Sequence, residues 1–301
     1  MSIKHKIAGV VAGMAAIALL AGCSSAATPE GGSSADAGKT VKIGVVGASD
    51  PYWETYKDEA KKAGINVEIV GFTEYPQVNP ALANGDVDIN QFQHLIYLAQ
   101  YNVGENKDLT PIGSTAIYPL PLYSKKYKDV KDIPQDATIA IPKDESNQAR
   151  ALLALQGAGL VKLKDGGSIV STADDVESGS KVKVITVDGS LAAAQLDDPA
   201  VAGAVINNDF ATKAGIDVSS AIAKDSAEDP KSQAYVNVFA VRAADKDNAT
   251  YKKLVEIYQD SEAVKKGVQE ANNNSAVFAK IPAADLEKTL KDVEKTVKAT
   301  K

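Results

Sequence analysis

The chain has 301 residues, 45% hydrophobic and 24% charged, a balance typical of a water-soluble body with room for two domains and a sizeable core. A formal net charge of −6 with no Lys/Arg block argues against a nucleic-acid partner. The single cysteine excludes an intramolecular disulfide, and two histidines, one of them at position 5, make a zinc site improbable.

In chain order, residues 1–22 read as an export signal. "MSIKHK" is basic, "IAGVVAGMAAIALL" is apolar, and "LAGC" ends on Cys23. The stretch Ile7–Gly22 is too short and too rich in small residues to be read as a membrane span. "LAGC" resembles the lipobox of bacterial lipoproteins, in which the signal is cut before the cysteine and the cysteine is acylated. The alternative, a plain secretory signal with an incidental cysteine, is disfavoured because Cys23 is the only cysteine in the chain. Residues 23–40 are Ser, Ala, Gly and Pro with almost nothing large and apolar, a flexible tether. Anchor, tether and body together describe a protein held at the extracytoplasmic face of a membrane. The length of the tether favours the outer surface of a single-membrane cell over a periplasm.

The body then alternates in period. "TVKIGVVG" is a strand, "YWETYKDEAKKAG" a helix, "INVEIVGF" a strand, "VNPALANGD" a short helix, "DVDINQF" a strand and "HLIYLAQYNV" a helix. This order favours an α/β fold with a parallel sheet covered on both faces. The middle repeats the style. The strand "ATIAIP" is followed by the helix "SNQARALLALQGAGL", with Ser146 as its N-cap, then by the strands "KVKVITVD" and "VAGAVINND". "YVNVFAVR" is a further strand. Two amphipathic helical stretches close the chain, the first broken near Asp260–Ser261. The picture is two α/β lobes, the last strand and helices returning to the first.

Most chemistry-bearing motifs are lacking. "GVVGAS" is neither a dinucleotide fingerprint nor a P-loop. "DVDIN" spaces Asp86, Asp88 and Asn90 like a calcium loop, but Gln91 and Tyr97 stand where Gly and Glu are needed. His94 has neither a second histidine nor a nucleophile elbow for catalysis. No cofactor or metal is implied. Ligand recognition fares better. "DESNQAR" places Arg150 in the first turn of a helix, where the helix dipole disfavours a cation. Either a bound anion resolves that conflict or the side chain is solvated, and this feature alone does not choose. "AVINND" ends a strand on Asn207 and Asn208, where α/β sheets bind ligands, although a simple strand cap explains it too. His94, Tyr97 and Tyr101 share a helical face that is either core or binding wall, Tyr101 belonging with the core.

Four segments carry a resemblance: "FTEYPQVNPALANGDVDINQFQHLIYL", "IAIPKDESNQARALLALQGAGLVKLKDG", "AVINNDFATKAG" and "YVNVFAVR". They look like the MetQ/NlpA family, methionine-binding lipoproteins of ABC importers. The match is ordered from about Val41 to about Arg242 and agrees with the lipobox and the tether. The resemblance implies a two-lobe periplasmic-binding-protein fold without enzymatic activity, with methionine in the cleft and an ABC permease and its ATPase as partners. One lobe would be 41–119 plus 239–301, the other 120–238. Carried over residue by residue, Tyr75, Phe92, His94 and Tyr97 match the aromatic positions around the ligand side chain. Arg150 matches the carboxylate-binding arginine, and Asn147 and Asn207 match asparagines that hold the polar end. A thioether suits aromatic rings, a carboxylate suits a guanidinium fork, and an ammonium suits amide carbonyls. The departures are "GASDPYWETY" after the first strand, where Tyr52 and Trp53 would reshape the cleft mouth, Ala149 before the arginine, and Phe210. They leave a related ligand open: a methionine-containing dipeptide, a methionine analogue or cysteine. A hydrolase using His94 and an adhesive lipoprotein are the readings from other classes.

Overall fold

The computed structural model describes residues 39–300. The export signal, Cys23 and nearly all of the tether lie outside the described residues.

The first lobe starts as the hydrophobic pattern requires. β1 (Val41–Val46), α1 (Tyr52–Lys62), β2 (Val67–Phe72), α2 (Val78–Asn84), β3 (Ile89–His94) and α3 (Leu95–Glu105) follow one another, and β1 pairs in parallel with both β2 and β3. Local chemistry sets the ends. α1 carries Glu54 in its first turn and Lys61 and Lys62 in its last, each favourable to the helix dipole. α2 stops at Gly85, whose φ of 84° is a left-handed cap that glycine adopts without steric cost. β4 (Thr110–Ser114) and the short β5 (Ala116–Ile117) complete this part.

The chain then crosses to a second sheet, made by β6 (Pro121–Tyr123), β7 (Ala137–Pro142), α4 (Glu145–Gly157), β8 (Val182–Val187), α5 (Gly189–Ala192), β9 (Val201–Val205), α6 (Asn208–Lys213) and β10 (Ala223–Lys224). It returns through β11 (Asn237–Val241), α7 (Ala249–Asp260), α8 (Glu262–Ala271), β12 (Val277–Phe278) and α9 (Ala283–Ala299). The sheets run β2-β1-β3-β11-β4 and β10-β6-β9-β7-β8. β11 lies antiparallel between β3 and β4, which ties the end of the chain into the first lobe. It begins at Asn237, slightly before the expected return at 239. Ser261 divides α7 from α8: it caps the one and its side chain accepts from the Val264 N–H of the other.

Two expectations are corrected here. The N-cap of α4 is Asp144, whose carboxylate accepts from the Asn147 N–H, and Ser146 lies inside the helix. An acidic cap is the better dipole partner. Trp53 does not reach the cleft. It is 1% exposed and packs with Tyr56 and Tyr258 in the core beneath β1.

α9 buries Leu286, Leu290, Val293 and Val297, one stripe at helical spacing, in the cluster that also holds Leu95, Leu98 and Ala99 of α3. The long C-terminal segment is therefore part of the first lobe's core.

Candidate functional site

The carboxyl ends of four strands converge. Val46 ends β1, His94 ends β3, Asn147 follows β7 and Asn207 follows β9, and all four line one cavity. The space between these residues, open mouth and solvent included, is about 710 Å³. Tyr75, Phe92, His94, Tyr97, Asn147, Arg150 and Asn207 all line it.

β3 supplies much of one wall because its pairing slips. Val238 pairs with Gln93 and Phe239 with Gln91, so Phe92 is the extra residue of a bulge. The bulge breaks the usual alternation, and Gln91, Phe92, Gln93 and His94 all contribute to the lining. Behind them Asn79, Asn90 and Gln93 exchange amide hydrogen bonds of 2.6–3.0 Å. That network satisfies buried amides that would otherwise cost roughly 1–3 kcal/mol each.

Tyr75 enters from a single 3-10 turn, Tyr75–Gln77, closed by a capping box between Glu74 and Gln77. Its ring lies 5.7 Å from Phe92, 6.1 Å from Tyr97 and 4.9 Å from Phe210. These rings form a compact apolar wall. Tyr101 stands apart from the cavity: partly buried, it packs against the core cluster of α3 and α9, as expected, with one side on a surface groove.

His94 is the N-cap of α3. Its Nδ1 accepts from the Tyr97 N–H at 3.2 Å, so Nε2 carries the proton and donates to Asn147 Oδ1 at 3.3 Å. Burial, reinforced by the Arg150 charge, pushes its pKa down to about 3. A neutral ring whose proton goes to an amide is a fixed hydrogen-bonding wall. Asn147 is equally committed. Its backbone and side-chain N–H groups both donate to Asp144, and its Oδ1 also accepts from Asn207 Nδ2 at 3.0 Å. Asn207 Oδ1, in turn, is buried and has no partner among the described residues, and Asn208 Oδ1 shares that condition.

Arg150 is 4% exposed and sits in the second turn of α4, a correction to the first-turn expectation. With α4 starting at Glu145, the dipole conflict does not arise. Its charge already has a partner: Nε donates to Asp225 Oδ2 at 2.6 Å and Nη2 to the Tyr118 carbonyl at 2.8 Å, with the Tyr235 ring 4.3 Å from Cζ. Among the described residues two of its five donors are used, which leaves the Nη1 end of the fork for a carboxylate. Asp225 also accepts from the Leu120 N–H at 2.7 Å. Arg150 is thus braced against both chain crossovers between the sheets.

Tyr52 and Asn208, noted in sequence beside the cleft, line the cavity too, and it also contains residues that sequence reasoning missed: Asp50, Tyr118, Asp209 and Asn237. Asn237 had a usable signal, a polar residue inside an otherwise apolar strand. Asp50 and Asp209 had none, since they come from a turn and a helix start more than a hundred positions apart. No group of three or more His, Cys, Asp or Glu among the described residues is placed to hold a metal ion.

Comparison with known proteins supplies the rest. The family model described as NlpA lipoprotein matches residues 41–283. D-methionine-binding lipoprotein MetQ of Yersinia pestis is 36% identical over 282 residues, 92% of this chain and 99% of the relative. Among solved structures, a nutrient binding protein from Burkholderia cenocepacia bound to methionine is 39% identical with a TM-score of 0.73, covering 79% of this chain and 99% of that one. The substrate binding protein of a methionine transporter from Streptococcus pneumoniae is 34% identical with the same TM-score, covering 80% and 95%.

Proposed function

Since the chain belongs to the NlpA lipoprotein family, we propose that it is the lipid-anchored receptor of an ABC importer, taking methionine into the cleft between its sheets and delivering it to the permease. One arrangement carries this reading: a braced guanidinium, an unpartnered amide carbonyl and an aromatic wall face the same cavity. The free end of Arg150 receives the α-carboxylate. Asn207 Oδ1 receives an ammonium hydrogen, with Asn147 and His94 holding Asn207 in place. Tyr75, Phe92 and Tyr97 pack around the thioether. No bond in the ligand is made or broken, and His94 acts by hydrogen bonding and packing.

On this reading residues 41–119 with 239–301 form one lobe and 120–238 the other, and ligand binding favours their closure. Cys23 bears the lipid, and the body works on the extracytoplasmic side, at the outer surface of a single-membrane cell. Protease treatment of intact cells tests that placement, since a protein shielded by an outer membrane would survive it.

Calorimetry of the purified protein with L- and D-methionine tests the receptor reading. Binding in the micromolar range or tighter supports it, and absence of heat or thermal shift with any amino acid or short peptide refutes it. The extra polar lining at Asp50, Asp209 and Asn237 favours, as a second reading, a related ligand such as a methionine-containing dipeptide. Mass spectrometry of what co-purifies decides between the two.

A further inference from the structure

The segment "GASDPYWETY" sets this chain apart after its first strand, and the structure shows what it brings. β1 ends in a turn in which the Asp50 N–H donates to the Gly47 carbonyl at 3.0 Å. Gly47 has φ +83°, and a side-chain carbon there would lie 2.9 Å from Asp50 Oδ2 and 4.0 Å from Asp209 Oδ1. Glycine therefore leaves a small cradle between two carboxylates, one following β1 of the first sheet and the other on α6 of the second. Both line the ligand cavity.

Their surroundings are short of positive charge. The Tyr75 hydroxyl donates to Asp209 Oδ2 at 2.7 Å, and among the described residues neither carboxylate has an ion-pair partner. The other titratable groups that face them, Tyr52 of α1, Tyr118 of the crossover and Tyr258 of α7, are phenols. A second observation points the same way. Asn208, 7% exposed, lines the same cavity, and its Oδ1 is buried without a partner. Two carboxylates without an ion-pair partner among the described residues and an unpartnered amide oxygen thus belong to residues lining one cavity.

We propose that Asp50 and Asp209, assisted by Asn208, form a cation-accepting subsite that holds a primary ammonium group of the ligand between the two lobes. It rests on the receptor reading and adds to it, since Asn207 then takes one ammonium hydrogen and the carboxylates carry the charge. The ammonium has two chemical sources, the α-amino group of methionine itself or the amino terminus of a short peptide ending in methionine. Burial pushes Asp50 up to about 6 and Asp209 up to about 7, Tyr75 opposing the rise in Asp209 and the Asp50 charge adding to it. An arriving ammonium favours both ionised forms, so binding tightens as pH rises through this range.

The test uses the full-length protein in detergent, titrated at pH 5, 6, 7 and 8. The probes are methionine, the analogue lacking its amino group (4-(methylthio)butanoate), and the dipeptide alanylmethionine. The variants are Asp50→Asn and Asp209→Asn, isosteric changes whose folding is checked by thermal unfolding. For the wild type, the preferred amine-bearing ligand is expected to bind at least tenfold tighter than the amine-free analogue at pH 8. That preference should shrink toward pH 5, and in the variants it should fall at least fivefold and lose its pH dependence. Whether methionine or the dipeptide shows the effect identifies the source of the ammonium. An unchanged preference and pH profile in both variants overturns the subsite while leaving the receptor reading standing. No binding of any probe by the wild type overturns the receptor reading, and the subsite with it.

Discussion

At the residue scale, on the proposed reading, the Arg150–Asp225 pair governs how the cleft meets an anion. The pair is buried, and a buried charge left alone costs several kcal/mol, so Asp225 also keeps Arg150 compatible with the fold. Asp225→Asn preserves the acceptor for the Leu120 N–H but weakens the brace on Nε. We expect methionine affinity to fall about tenfold or more, the equivalent of about 1.4 kcal/mol. Methioninamide, which lacks the carboxylate, should be affected much less, and calorimetry with both ligands checks this. Equal losses for the two would mean that Asp225 serves stability alone. His94 makes a prediction of opposite character. Its folded-state pKa of about 3 lies below the ordinary value of 6.5, so the unfolded chain takes up a proton first as pH falls. Stability then drops as pH falls from about 6.5 toward 3, with a limiting slope of about 1.4 kcal/mol per pH unit. Asp50 and Asp209 have raised values, so their effect runs the other way, eroding the ligand-free protein as pH rises from about 4 to 7. His94→Gln should flatten the acid limb of a melting-temperature profile, and Asp209→Asn the neutral limb. A variant that shifts the whole profile uniformly would contradict the assignment.

At the scale of elements, α9 is the segment whose importance is easiest to underrate from its charged sequence. Its four buried side chains close the core over α3 and the inner face of the first sheet. Leu290→Ala should cost about 2–5 kcal/mol, because it removes buried methyl groups and leaves a cavity. Urea unfolding measures the loss, and a change below about 0.5 kcal/mol would show that α9 packs only loosely. Elements of this kind were legible in sequence because their signals are local: the Leu286–Leu290–Val293–Val297 stripe, the Gly85 stop, the break at Ser261. Most of the candidate wall was legible for a related reason. Phe92, His94, Asn147 and Arg150 lie next to strand ends and helix starts, and a family pattern runs through them. What stayed hidden depends on register and on distant contact. The bulge at Phe92 appears only when β11 is paired with β3. The brace on Arg150 needs Asp225, 75 positions away, and the meeting of Asp50 with Asp209 needs both lobes in place.

For the whole molecule, the proposed function turns on bonds that join one lobe to the other across the cleft. His94 donates to Asn147, and Tyr75 donates to Asp209, each pair made of one residue from either side. Arg150 adds contacts to both crossovers through the Tyr118 carbonyl, the Tyr235 ring and Asp225. A ligand seated among these groups touches both lobes at once, and that differential contact is what biases a hinged pair toward its closed state. On that reading, release requires the cross-cleft bonds to break together with the ligand's own. Tyr75→Phe keeps the aromatic wall and deletes only the hydroxyl, so it isolates one of these bonds. A hydrogen bond to a carboxyl group in this setting is worth about 1–2 kcal/mol, which corresponds to an off-rate about 5- to 30-fold faster. Stopped-flow displacement of methionine from wild type and Tyr75→Phe measures it directly. The on-rate should change little, because the bond forms on closure, after the ligand has entered. An unchanged off-rate would mean that the Tyr75–Asp209 contact does not restrain opening, and closure would then rest on the Arg150 brace and the His94–Asn147 bond.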